Sequence, residues 1–149
     1  MPIRPALPIE ADLLSGLALR SKAQWGYDAS FLEACREALR VAPEYIASAP
    51  VYVVEEDGGR VVGFYGLGHK DGDADVLFLF VEPDAIGRGY GARLWRHLVD
   101  TARTLGYRRV RVESDPYAEG FYRAMGAVRT GEAPAGIAGR LLPVLYFSW

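Results

Sequence analysis

The chain has 149 residues, of which 50% are hydrophobic and 24% charged, and its net charge is −2 at pH 7. Its single cysteine, Cys35, excludes an internal disulfide, and its longest apolar run, residues 76–81, is too short to span a membrane. The N-terminus carries acidic residues early and lacks the apolar core of a signal peptide. The sequence therefore predicts one domain over residues 1–149, located in the cytoplasm.

Two amphipathic helices are predicted in the first third of the chain. Residues 8–22 place apolar side chains on one face at helical spacing, and residues 28–40 repeat the pattern. The apolar positions are Leu13, Leu14, Leu17 and Ala18 in the first helix and Phe31, Leu32, Cys35 and Leu39 in the second.

Runs rich in β-forming residues follow the helices. Residues 51–56, 60–68 and 73–82 are separated by turn residues and predict a meander of antiparallel strands. The later predicted elements are an amphipathic helix ending at Gly106, a strand at 108–113, a short helix at 118–125 closed by Gly126, and strands at 127–132 and 143–149. This order indicates a mixed α/β domain.

Arginine is concentrated in the segment between Ala85 and Arg111, which holds seven arginines and one acidic residue, Asp100. Either a solvated helix face or a surface for a polyanion, nucleic acid or a phosphorylated cofactor, fits this charge. The arginines alternate with apolar core positions and no run of exposed aromatic residues accompanies them. This favours one helix face near cofactor phosphates over a nucleic-acid surface.

Three glycines, Gly87, Gly89 and Gly91, stand where the long helix begins, and no Ser, Thr or Asn caps its first turn. The first N–H groups of a helix have no internal partner and carry partial positive charge, so they can bind phosphate. Arg88 adds charge in the loop. The alternative is a glycine-rich turn that only changes the direction of the chain.

Two known phosphate-binding loops fit poorly. The dinucleotide fingerprint requires G-x-G-x-x-G directly after a strand, whereas this loop reads G-x-G-x-G and residues 82–86 separate it from the strand. Glu113 could supply the later acidic residue of that fingerprint, but only 36 residues follow it, too few for a full Rossmann domain. The P-loop fails because Gly91 is not followed by Lys and Ser or Thr.

Residues 77–127 resemble a known family. A strand ending Val-x-Pro, at Val81 and Pro83, leads into a loop of the form Gln/Arg-x-x-Gly-x-Gly/Ala over residues 86–91. A later motif, Asn-x-x-Ala-x-x-Phe-Tyr ahead of a Gly-Phe pair, aligns with Asp115, Ala118, Phe121, Tyr122, Gly126 and Ala127. Both motifs, in this order, resemble those of the GCN5-related N-acetyltransferases.

This resemblance implies a mixed, mostly antiparallel central sheet flanked by helices, with two N-terminal helices, and acetyl-CoA as acyl donor. The residues that it places at the cofactor are Leu79, Phe80 and Val81 along the pantetheine arm, Gly87, Arg88, Gly89, Tyr90, Gly91 and Ala92 around the diphosphate, and Asp115. Three positions depart from the family pattern. Ile86 replaces Gln or Arg, Asp115 replaces Asn, and Ala127 replaces Phe.

The resemblance also implies a mechanism, in which a neutral amine attacks the thioester directly in a ternary complex. Tyr122 is the predicted general acid for the departing thiolate. Glu82 is the first candidate for the general base, Glu113 the second and His69 the third. Cys35 as a covalent acyl carrier is disfavoured because it lies in an apolar pattern with no histidine nearby. A non-catalytic acyl-CoA-binding module is the alternative function.

The acceptor is predicted to approach from the N-terminal helices. Trp25 and Tyr27 are candidate walls of the acceptor site, and Asp28 is a candidate partner for an ammonium group, with an aromatic staple between two helices as the alternative. The predicted partner is a small-molecule amine or a peptide amine. Neither a metal site nor a nucleic-acid or membrane partner is predicted, and a homodimer is left open.

Overall fold

A central β-sheet organises the chain in the computed structural model, which describes residues 2–135 and 139–149. Its strands are β1 (Ile3–Pro5), β2 (Val51–Glu55), β3 (Val61–Lys70), β4 (Asp73–Val81), β5 (Arg109–Glu113), β6 (Val128–Pro134) and β7 (Leu141–Ser148), in the order β1-β2-β3-β4-β5-β7-β6. Within this described sheet β4 and β5 are parallel and the other neighbours antiparallel. The predicted mixed, mostly antiparallel sheet is confirmed.

The helices flank this sheet. They are α1 (Ala11–Ala23), α2 (Ala29–Cys35), α3 (Pro43–Ser48), α4 (Tyr90–Thr104) and α5 (Glu119–Ala124). The predicted helix over residues 28–40 is shorter than expected, because α2 ends at Cys35. Two short elements were not predicted. Strand β1 has too few residues to show an alternating pattern, and α3 begins with Pro43 at a position where proline is favourable.

The two faces of the sheet carry separate apolar cores, because alternate residues of a strand point to opposite faces. On β3, Tyr65 packs in the layer of α4, and its neighbour Phe64 packs in the layer of α1. Leu14 and Leu17 of α1 are fully buried as predicted, whereas Leu13 is 46% exposed. In the described parts of the chain, no helix is long and apolar enough to cross a membrane.

The strands β4 and β5 separate along their length. Their described pairing consists of Ala74 with Val110 and Asp75 with Arg111. Just beyond, the register between β3 and β4 shifts so that Leu77 bulges from β4. Since a bulge bends its strand, residues 76–81 follow β3 away from β5. An opening therefore forms in the middle of the sheet.

Candidate active site

A cavity of about 660 Å³ fills the opening between β4 and β5. Its walls include Leu79 and Val81, which pack toward the α4 layer, and Phe80, which packs toward the α1 layer. The end of α1 and the turn after it contribute further lining residues, Ser21, Lys22, Gln24 and Trp25. The cavity is thus lined by residues that belong to both faces of the sheet, and its volume is typical of a small-molecule site.

The glycine loop forms one end of this cavity. Gly87 and Gly89 adopt φ of +87° and +85°, a conformation that glycine adopts at little cost, and a Cβ at either position would meet open space. Gly91 has a different role. A Cβ at this position would make a tight contact, 3.2 Å from Cε1 of Phe121. The glycines therefore shape the turn and allow α5 to approach α4 closely.

The first turn of α4 lies against the cavity. Gly89 occupies the N-cap position and has no side chain to cap the helix. Tyr90, Gly91 and Ala92 line the cavity together with Ile86 and the other two glycines, whereas Arg88 is exposed beside the lining. The 15-residue helix carries partial positive charge at this end. An anionic diphosphate fits this end because no side chain at Gly89 competes for it.

Tyr122 lies between α4 and the cavity. Its side chain is buried, at 6% exposure, and its ring packs edge-on against Trp95 and Phe121 at centroid distances of 5.6 and 5.2 Å. Burial raises the pKa of the Tyr122 phenol above its usual value, and the negative charge of Asp115 raises the pKa further. The phenol therefore stays protonated at neutral pH, as a proton donor must.

Asp115 faces the N-terminal helices. Lys22 Nζ donates to its Oδ2 at 2.6 Å, the Tyr27 hydroxyl donates at 2.9 Å, and the Arg140 Nη2 lies 3.8 Å away. Arg140 also donates to the Tyr27 hydroxyl at 2.7 Å. We refer to Lys22, Tyr27, Asp115 and Arg140 as the Asp115 cluster. It joins α1, the following turn, the loop after β5 and the residue that precedes β7.

The cluster changes the acidity of its members. Burial is the largest effect on Asp115 and favours the neutral acid. The hydrogen bonds from Lys22 and the Tyr117 backbone N–H outweigh it, so the pKa of Asp115 is lowered. Burial and the Asp115 carboxylate together raise the pKa of Tyr27 to about 12. Asp115 is therefore a carboxylate at neutral pH. Its predicted contact with the cofactor stays a prediction: Asp115 lines the cavity, and its hydrogen bonds join it to Lys22, Tyr27 and the Tyr117 backbone.

Aromatic rings lie where the residues after α1 meet the cavity. Trp25 stacks on Tyr117 with ring centroids 5.6 Å apart, and Tyr27 stacks on Phe31 at 4.3 Å. Trp25, a candidate wall of the acceptor site, lines the cavity, whereas Tyr27 belongs to the Asp115 cluster and is not among the lining residues. Asp28, a candidate partner for an ammonium group, caps α2 by accepting from the Phe31 backbone N–H and is not among the residues that line the cavity.

The three base candidates lie in different places. Glu82 accepts two hydrogen bonds from Arg20, at 3.0 and 2.7 Å, and lines a separate groove with Arg60. Glu113 lines the central cavity and accepts from Arg111 at 3.1 Å. His69 is exposed near the β3–β4 turn. The structure therefore brings Glu113, and not Glu82, together with Tyr122.

Two members of the Asp115 cluster, Lys22 and Arg140, were not predicted from the sequence as site residues. Lys22 stands at the end of the predicted helix over residues 8–22, and Arg140 lies 113 residues from the tyrosine to which it donates. One signal was available for Lys22, since the chain has only two lysines, Lys22 and Lys70, and fifteen arginines. Nothing local in the sequence marks Arg140, because its contacts depend on how β7 is placed in the sheet.

We expect an Asp115→Asn variant to lower the free energy of unfolding at pH 7 by about 2 kcal/mol, because Lys22 loses its carboxylate partner. Asp115 has a lowered pKa, so its stabilisation is present above the usual carboxyl range and is lost as the pH falls through the folded-state pKa. Urea unfolding measured at pH values from 7 downward should show that the wild type and the variant differ less in their free energy of unfolding as the solution becomes acidic. The exposed Asp57→Asn variant is the control, and a difference that is independent of pH would contradict the prediction.

The sequence of this chain is similar to those of known proteins. Residues 18–127 match the sequence model of the Acetyltransferase (GNAT) family. The chain is 32% identical over 102 residues to the peptidyl-lysine N-acetyltransferase YjaB of Salmonella typhimurium strain LT2, a match that spans 68% of this chain and 66% of that protein. It is 36% identical over 85 residues to the N-alpha-acetyltransferase RimI of Mycobacterium tuberculosis, spanning 54% and 53%.

The fold is shared with solved structures. The crystal structure of the PaiA N-acetyltransferase of Thermoplasma acidophilum, in complex with coenzyme A, matches with a TM-score of 0.81 at 16% identity. The match covers 99% of this chain and 98% of that one.

Proposed function

Because the chain belongs to the Acetyltransferase (GNAT) family, whose enzymes use acetyl-CoA as acyl donor, we propose that it transfers an acetyl group from acetyl-CoA to a primary amine. The observation that carries the proposal is the cavity through the opened sheet. One end meets an uncapped helix start and the other end meets the aromatic residues after α1. A donor and an acceptor can therefore enter from opposite faces and meet between β4 and β5.

The donor side would hold acetyl-CoA through backbone groups. The amides at the start of α4, in the glycine loop, suit the diphosphate. Past Asp75, the edge of β4 that faces away from β3 borders the cavity, so residues 79–81 can pair with the amides of the pantetheine arm as an added strand would. This pairing would direct the thioester toward the opening.

The chemical step needs a nucleophile, a base and an acid. With both substrates bound at once, the neutral amine attacks the thioester carbonyl directly, and proximity supplies much of the rate. The C–S bond breaks and the thiolate takes a proton from the hydroxyl of Tyr122, a residue that lines the cavity. Glu113 is better placed than Glu82 to accept the amine proton, because only Glu113 of these two lines the cavity.

The names of the relatives support a choice of acceptor class. Those reported above are named for a peptidyl lysine and for an N-alpha amine, so a peptide amine is the acceptor that we propose first. Trp25 and Tyr117 would flank it as flat walls at the mouth of the cavity. A small-molecule amine is the second candidate.

A thiol-release assay tests the proposal. Purified protein and acetyl-CoA are combined with a lysine peptide whose N-terminus is blocked, a peptide with a free N-terminus and no lysine, or a small amine. We expect release with at least one peptide. Tight cofactor binding without release from any amine would favour the non-catalytic acyl-CoA-binding module, and no binding at millimolar cofactor would overturn the donor assignment.

The same assay separates the base candidates. Glu113→Gln should lower the rate about a hundredfold, the order expected when a general base is removed. Glu82→Gln should change the rate little, because Glu82 is held by Arg20 outside the cavity. Each variant removes one carboxylate with little change of shape. The opposite ranking would return the base role to Glu82.

A further inference from the structure

Lys22 is the more buried of the two lysines in this chain. The chain has fifteen arginines and only two lysines. Lys70 is exposed at the end of β3, whereas Lys22 lines the central cavity with its side chain 13% exposed. The only amine that a lysine side chain presents to the catalytic cavity is therefore the Nζ of Lys22, among the residues that the structure describes.

We propose that Lys22 is an internal acetyl acceptor, so that the chain acetylates its own Lys22 when acetyl-CoA is bound and no external amine fills the cavity. This proposal rests on the acetyltransferase function proposed above. It adds a modification site and identifies a peptidyl lysine that is already held on the acceptor side.

The position of Lys22 relative to the reacting groups supports this. Lys22 lies in the last turn of α1, and its Nζ is 2.6 Å from Asp115 Oδ2. Lys22, Asp115 and Tyr122 all line the same cavity. The Nζ, Asp115 and Tyr122 therefore occupy neighbouring parts of one cavity. A lysine stem with four methylene groups can redirect its amine within this space.

The cluster also lets Lys22 leave Asp115. When the ammonium moves away, the carboxylate still accepts from the Tyr27 hydroxyl at 2.9 Å and from the Tyr117 backbone N–H at 2.9 Å. Arg140 Nη2 remains 3.8 Å away as a second cation. Asp115 is thus not left as an unpaired buried charge, which would otherwise be costly.

The reaction balances without another reactant. The Lys22 ammonium loses a proton to solvent, and the neutral Nζ attacks the thioester carbonyl of acetyl-CoA. The C–S bond breaks, the new C–N bond remains as an amide, and the thiolate takes up the proton that the nitrogen releases. The products are N-acetyl-lysine at position 22, coenzyme A and one proton.

Acetylation would change the cavity itself. The amide carries no charge, so Asp115 would lose its closest cationic partner and the cluster would keep one cation, Arg140, for one carboxylate. The acceptor side would then have a lower positive charge and a longer side chain at position 22.

The test uses the full chain and acetyl-CoA without an external amine, followed by intact mass and peptide mapping over time. Lys70 reports the rate of uncatalysed acetylation of an exposed lysine in the same molecule. We expect Lys22 to be acetylated about tenfold or more faster than Lys70, because it is held beside the donor. Lys22→Arg keeps the cation and should remove the fast phase, and Gly89→Glu should also remove it by excluding the cofactor.

Three results would overturn the proposal. Lys22 could react no faster than Lys70, the fast phase could persist in Gly89→Glu, or it could map to another residue. A parallel thiol-release assay with peptide amines identifies the cause. If peptides are acetylated and Lys22 is not, only the internal acceptor is wrong. If neither is acetylated, the acetyltransferase function itself fails.

Discussion

Replacing Gly89 by Glu is expected to weaken acetyl-CoA binding at least about a hundredfold, or roughly 3 kcal/mol. Gly89 is the N-cap of α4 and faces open space at the cavity end. A glutamate there would place a carboxylate at the helix start, where it can satisfy the N–H groups and repel the diphosphate. Calorimetric titration with acetyl-CoA measures the loss directly.

The control for this variant is Gly58→Glu. Gly58 adopts φ of +98° in the turn between β2 and β3, where a Cβ would also meet open space. The two variants therefore carry a similar backbone strain and the same added charge, but only one of them lies at the cavity. Equal affinity of both variants for acetyl-CoA would contradict the diphosphate site at α4.

The second large effect is expected for Tyr122→Phe, which should lower kcat by about 10²–10⁴-fold, the usual contribution of a general acid. The KM for acetyl-CoA should change little, because the ring and its contacts with Trp95 and Phe121 are retained. Steady-state kinetics with the best amine acceptor separates these two constants.

Tyr117→Phe is the matched control for the loss of a phenol. Tyr117 also lines the cavity, but its ring is exposed and stacks on Trp25. It should retain most of the wild-type kcat, because the flat ring that would flank the acceptor is kept and only the hydroxyl is lost. An unchanged kcat in Tyr122→Phe would mean that the thiolate is protonated by solvent, and the general acid role would be withdrawn.

Features encoded by neighbouring residues could be predicted from the sequence. The amphipathic spacing of α1 and α4, the alternating strands and the glycines before α4 all depend on residues within one or two turns of each other. The fold class and the family followed from two such local motifs, and both are confirmed. The absence of a side-chain cap at the start of α4 could also be predicted from the sequence, since it depends on one residue, Gly89.

Features that depend on distant residues were decided only by the tertiary structure. The separation of β4 from β5 follows from a bulge and from where pairing stops, which no spacing within either strand indicates. Lys22 meets Asp115 across 93 residues, and Glu82 pairs with Arg20 across 62. Charged side chains near a strand end look alike in sequence. Which of them faces the cavity depends on the elements packed against that strand. Glu113 therefore lines the cavity, whereas Glu82 pairs with Arg20 of α1.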